Sequence, residues 1–272
     1  MKVVLFVEGS APHGPKDHCA RLWNSTLLPA LGRAPVDVIV PIGKDSITIM
    51  LGLRASSAAP GLDTRIVEVI KRHQIDPERD ALVIAWDLEP VDKGRPRCAW
   101  HEKLGLYRGI AGSPLADLQS TAWVRSAAVQ VARIEQYGGV PPEGLNRSRL
   151  RPGAVLGVCM EPMFEGLLAQ DGRAVRRAMD LSSEPPGWPP ARKWSPHERN
   201  PSSTLLAAAV DAMREMRPKA DLRKKLHAIY DEAKDEWCDY LLRRLFEVSD
   251  HAAVIRSHPI ARRIAHIFPP AV

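Results

Sequence analysis

Ala81-Leu82-Val83-Ile84-Ala85-Trp86-Asp87-Leu88-Glu89-Pro90 is the stretch on which the fold turns. An unbroken apolar run leads directly into two acids and a proline. A run of this length, closed by a turn residue, is the pattern of a strand buried on both faces of a mostly parallel sheet. Three further runs are nearly all apolar in the same way: Val3–Val7, Val36–Val40, which admits Asp37, and Ala154–Cys159. Between the runs, the apolar spacing predicts helices over 15–31, 63–74 and 119–137. The second carries Ile66, Val67, Val69 and Ile70 behind the caps Asp63 and Thr64, and Gly138-Gly139 closes the third. Strand alternating with helix is the order of an α/β fold with right-handed crossovers.

Beyond Cys159 the strand signal ends. Residues 161–179 read as helix, whereas 181–201 hold six prolines and two tryptophans and cannot form one regular element. Residues 202–217 and 219–247 are helical in pattern, with Leu222, Leu226, Ile229, Trp237, Leu241 and Leu245 marking one buried face. A last short helix covers Ile260–Ile267. The expected organisation is an α/β domain over 1–180, a Pro/Trp-rich connector over 181–201, and an all-helical C-terminal extension over 202–272 packed on the first domain.

Composition agrees with a folded chain. Of 272 residues 45% are hydrophobic and 26% charged, which excludes a wholly disordered or fibrous protein. Four cysteines without a C-x-x-C pair argue against a zinc knuckle or a disulfide framework, and Cys159 reads as a small buried hydrophobe. The first apolar run stops at Glu8, too early for a signal peptide, and no run approaches the ~20 apolar residues that cross a bilayer. The expectation is a soluble, cytoplasmic protein with no membrane partner. The net charge of +6 favours anionic partners only mildly, so its distribution matters more than its sum.

The acids are distributed tellingly. The first strand ends in Glu8-Gly9, the third in Asp87-Leu88-Glu89, and the fourth in Glu161, with Glu165 one helical turn on. In open parallel sheets the carboxyl ends of the strands line the ligand crevice. Singly, such acids are ordinary caps or solvated turn residues. Converging, two carboxylates ~4 Å apart repel by about 4 kcal/mol at an effective dielectric near 20. Either some of them take up protons or a divalent cation neutralises them. Hard oxygen donors without paired His or Cys point to Mg²⁺ or Mn²⁺.

Val7-Glu8-Gly9 together with Asp87-Leu88-Glu89 resembles the Toprim fold of topoisomerases, primases, recombination proteins and OLD-type nucleases, with Glu in place of the second Asp of an Asp-x-Asp pair. Glu165-Gly-Leu-Leu-Ala-Gln-Asp171 is similar to an E-x-W-L-L-x-D element of small bacterial Toprim-like proteins, and Asn200-Pro201 to the start of their helical tail. The resemblance implies a Toprim-like sheet flanked by helices and metal-dependent phosphodiester hydrolysis of nucleic acid, DNA or RNA, in prokaryotic defence. Glu8, Asp87 and Glu89 would hold the metal, and Glu161 or Glu165 would complete the site or position water. A second reading is a non-catalytic Toprim-like module that binds nucleic acid or a protein partner. Defence systems often pair such subunits with an ATPase, and this chain has no Walker motif. A third is a metal-dependent phosphatase acting on a small substrate.

Several basic residues are candidate phosphate contacts: His13 and Lys16 in the loop after the first strand, Lys44 after the second, and Arg95 and Arg97 beyond the third. The loop has neither G-x-x-x-x-G-K-[ST] nor G-x-G-x-x-G spacing. Residues 93–108 interleave basic side chains with Trp100 and Tyr107, and residues 172–199 do so with Trp188 and Trp194. Such mixtures can hold a nucleic-acid backbone while stacking unpaired bases.

Overall fold

The computed structural model describes residues 1–8, 17–43, 46–47, 64–88, 99–139, 149–160, 167, 173, 176–177, 242–247 and 249–271. Four strands, β1 (Val3–Glu8), β2 (Val38–Ile42), β3 (Ala81–Asp87) and β4 (Val155–Met160), form one sheet. Their order is β2-β1-β3-β4 and every pairing is parallel. This is the α/β fold expected from the four apolar runs.

Alternation along the strands feeds two apolar layers. Val3, Leu5 and Val7 of β1 with Val83 and Ala85 of β3 face one side. There they meet α1 (Asp17–Arg21), the π-helical turn Leu22–Leu27 and α2 (Leu28–Ala30) through Leu22, Trp23, Leu27 and Leu28. Val4, Phe6, Leu82, Ile84 and Trp86 face the other side. This second layer is covered by α3 (Thr64–Arg72), α4 (Ala99–Ala111) and α5 (Ala122–Gln136).

The C-terminal helices α6 (Ser249–Ser257) and α7 (Pro259–Ile267) lie on the first layer. Ile255, Ile260, Ile264 and Phe268 share its core with the strands, as do Leu242 and Leu245 from a helical stretch over 242–247. The connector over 181–201 and most of the helix expected over 161–179 lie outside the described residues. No helix among the described residues is long and apolar enough to cross a membrane.

The helix expected over 15–31 is present over 17–30; it includes a π turn over Leu22–Leu27, because Pro29 has no N–H and its ring would press on the Ser25 carbonyl of a regular α-helix. Two sequence expectations are corrected. Strand β2 begins at Val38 rather than Val36. Asn24 captures both main-chain groups of Val36, donating from Nδ2 to its carbonyl and accepting its N–H, each at 2.9 Å. Second, the basic and aromatic stretch over 93–108, read above as a mixture able to hold a nucleic-acid backbone, is regular helix from residue 99 onward. It forms α4, whose Lys103 and Tyr107 are buried. The Lys103 ammonium lies 4.5 Å over the Trp100 ring, and Arg108 pairs with Glu135 at 2.6 Å. Lys103 and Tyr107 therefore serve packing rather than a stacked base.

Tyr107 joins α4 to the sheet. Its hydroxyl accepts the Gly157 N–H at 2.8 Å in a buried setting, and burial pushes the phenol up to about 12, so it remains neutral. Tyr107→Phe removes this acceptor from the buried N–H and is expected to cost about 1–3 kcal/mol of stability, read as a lowered urea midpoint. An unchanged midpoint would show that this bond does not tie α4 to β4.

His258 caps α7, its Nδ1 accepting the Ile260 N–H at 3.2 Å. Burial, with a smaller contribution from the Arg263 guanidinium, pulls its imidazole down to about 4. The folded value lies below the unfolded one of about 6.5, so the unfolded chain binds the extra proton. The contribution to stability is complete above about pH 6.5 and lost as pH falls through about 4. His258→Asn keeps a capping acceptor but cannot titrate. Denaturation midpoints between pH 7 and 4 should fall further for the wild type than for this variant; equal losses would refute the assignment.

Candidate active site at the carboxyl edge of the sheet

Strand order defines the site before any side chain does. The chain leaves β1 for β2 on one side and later places β3 on the other, so the order reverses between β1 and β3. In open parallel sheets this is the switch point where a crevice opens beyond the carboxyl ends of the strands. Glu8 is the last residue of β1 and Asp87 the last of β3. The two acids flank the reversal.

Their side chains start from opposite faces. Glu8 follows Val4 and Phe6 in the alternation and belongs to the α4–α5 side; Asp87 follows Val83 and Ala85 and belongs to the other. Residue pairing between β1 and β3 runs from Val3–Ala81 to Val7–Ala85. Just past its end, Glu8 Oε2 accepts the Asp87 main-chain N–H at 3.1 Å. The glutamate is long enough to lean over the sheet edge toward its neighbour. Three bonds separate that nitrogen from the Asp87 carboxyl carbon, so the carbon is within about 7 Å of Glu8 Oε2. Both residues are half-buried.

Trp86, between Ala85 and Asp87, turns away into the second apolar layer. It is fully buried, and its Nε1 donates to Glu102 Oε2 on α4 at 2.8 Å. Glu102 Oε2 also accepts from the Cys159 thiol at 3.8 Å. Cys159 is completely buried in β4, as its apolar surroundings in the sequence imply. The indole thus leaves the crevice to the carboxylates while bracing the end of β3. Pairing on the far side of β3 persists to its end, where Asp87 lies opposite Met160 and the Leu88 N–H donates to the Met160 carbonyl at 2.9 Å. Sequence reasoning passed over Glu102: a lone acid in a charged stretch carries no sign of burial.

Of the candidate residues, the structure brings Glu8 and Asp87 together. Glu89, Glu161, Glu165, His13, Lys16, Lys44, Arg95 and Arg97 lie outside the described residues. Among the described residues no group of three or more His, Cys, Asp or Glu converges as a metal site; Glu8 and Asp87 form a pair. From 172–199, residues 173, 176 and 177 are described, all of them exposed arginines.

No family model, curated protein or solved structure matches this chain. The site must be read from its own residues. Two carboxylates from adjacent parallel strands, at the switch point, provide hard oxygen donors of the kind that Mg²⁺ and Mn²⁺ take, and no soft ligand stands beside them in β1 or β3.

Proposed function

We propose that this chain is a Toprim-like, Mg²⁺- or Mn²⁺-dependent nuclease that hydrolyses nucleic-acid phosphodiesters at the carboxyl edge of its sheet. The observation that supports the reading is the reach of the Glu8 carboxylate to Asp87 across the β1–β3 switch point, where Glu8 Oε2 accepts the Asp87 main-chain N–H at 3.1 Å. Glu8 and Asp87 would hold the ion, Glu89 would add the third acid of the motif, and Glu161 or Glu165 would complete the set or orient water. A divalent ion held this way lowers the pKa of bound water and neutralises charge developing on the phosphate. The chain's own part is positional. The Asp87 N–H fixes the rotation of the Glu8 carboxylate, and the buried Trp86–Glu102 bond fixes the end of the strand that carries Asp87.

The test is to incubate the pure protein with single- and double-stranded DNA and RNA in Mg²⁺, Mn²⁺ or chelator. Cleavage that requires metal and stops in chelator is expected. If all four polymers bind but none is cut with either ion, the chain is the non-catalytic module instead. Hydrolysis confined to small phosphate esters would make it a phosphatase.

A further inference from the structure

A second charged feature lies toward the opposite edge of the sheet. A cavity of about 610 Å³ opens beside the C-terminal segment, walled in part by Arg33, Arg149, Arg256, Arg262 and His266. Arg33 precedes β2 and Arg149 precedes β4, so the cavity sits toward the amino ends of the strands, away from Glu8 and Asp87. Arg262 and His266 are four residues apart on α7 and share a helix face. The segment holding Arg33 is fixed from both sides, because Ala34 N donates to the Pro269 carbonyl and Ala271 N to the Gly32 carbonyl, each at 3.0 Å.

Among the described residues no acidic side chain lines this cavity, and none of its four arginines makes an ion pair. Arg33 Nε and His266 Nε2 are buried nitrogens with no hydrogen-bond partner among the described residues. Both nitrogens are closed to the cavity and mark the tight packing of its wall, so a ligand would have to be held by the outer guanidinium nitrogens. Arg256 is partly committed, its Nε donating to the Ala30 carbonyl at 2.9 Å and its guanidinium lying 6.0 Å over the Phe246 ring; the planar forks of Arg33, Arg149 and Arg262 suit phosphate oxygens. The volume lies within the range of small-molecule pockets and exceeds what one inorganic phosphate would fill. Leu150, Ile267 and Pro269 add an apolar wall that suits a flat ring.

We propose that this cavity binds a nucleoside di- or triphosphate, with the phosphates on the arginines and the base against the apolar wall. The site is separate from the carboxylate pair and does not depend on it. Calorimetric titration in chelator, at low salt and again at 150 mM salt, tests it with ATP, ADP, adenosine, pyrophosphate and a short single-stranded oligonucleotide. One ATP or ADP should bind per chain at both salt concentrations, with adenosine failing to bind and pyrophosphate at least tenfold weaker than ADP. Arg149 and Arg262 are exposed, so an Arg149→Ala/Arg262→Ala double variant should keep its circular dichroism spectrum and melting temperature while losing at least tenfold in ATP affinity.

A Glu8→Gln/Asp87→Asn variant should bind ATP as the wild type does; if it does not, the nucleotide sits at the carboxyl edge and the cavity proposal fails. The proposal is also overturned if neither nucleotide binds, if binding vanishes at 150 mM salt, or if the double arginine variant binds unchanged. Pyrophosphate matching ADP would overturn the nucleoside assignment. An oligonucleotide that binds where ATP does not would place a polymer there instead.

Discussion

Asp87→Asn is expected to lower metal-dependent cleavage of nucleic acid at least a hundredfold, and Glu8→Gln/Asp87→Asn to abolish it. Both changes keep the shape of the side chain and remove its charge, so under the proposed function they weaken the hold on the ion. Loss of several kcal/mol of charge stabilisation corresponds to two to four orders of magnitude in rate, at about 1.36 kcal/mol per tenfold. Glutamine retains a carbonyl oxygen to accept the Asp87 N–H, so the strand ends should stay joined and the melting temperature should remain close to the wild type. Asp117→Asn is a suitable control, because Asp117 is exposed and pairs only at the surface with Lys71, at 3.2 Å. Activity retained by the folded double variant would sink the metal assignment.

The largest loss of stability is expected at Trp86. Truncating a buried Trp to Ala typically costs about 3–5 kcal/mol, a large share of the 5–15 kcal/mol that holds an ordinary domain together. Here the indole fills the space above Gly157, where an added Cβ would come within 3.0–3.1 Å of two ring carbons. Its N–H also donates to the buried Glu102 carboxylate. Trp86→Ala therefore opens a cavity and strips a donor from a carboxylate that stays buried. Trp86→Phe retains most of the volume and should cost about 1–3 kcal/mol, separating the lost bond from the lost packing. Urea unfolding measures both, and a Trp86→Ala cost below about 1 kcal/mol would refute this account of how β3 is braced.

The strands were legible because burial on both faces leaves a plain signature, an apolar run cut off by an acid. The position of β2 was less so: Val36 has the composition of a strand residue, but Asn24, distant in local pattern, claims its hydrogen bonds. The helix Ala99–Ala111 escaped for a different reason. It turns Glu102 and Lys103 inward and carries Gly105 and Gly109, which erases the contrast between an apolar and a charged face. Glu8 and Asp87 stood out because strand ends can be read from sequence and a parallel sheet gathers them on one edge. The arginine cavity offered no such signal. Its residues are scattered from 33 to 270 and meet only because the C-terminal segment folds back against residues 32–34.

That return of the chain has a consequence for biosynthesis. Strands β1 to β4 leave the ribosome well before residues 249–271, which follow β4 by roughly 5–20 s at ordinary elongation rates. Until then the layer formed by Leu5, Val7, Val83 and Ala85 lacks Ile255, Ile260, Ile264 and Phe268, its partners in the finished core. A nascent chain stalled in this interval presents a sheet whose first layer is covered only in part, by Leu22, Trp23, Leu27 and Leu28, the form that chaperones capture and that neighbouring polysomes can aggregate.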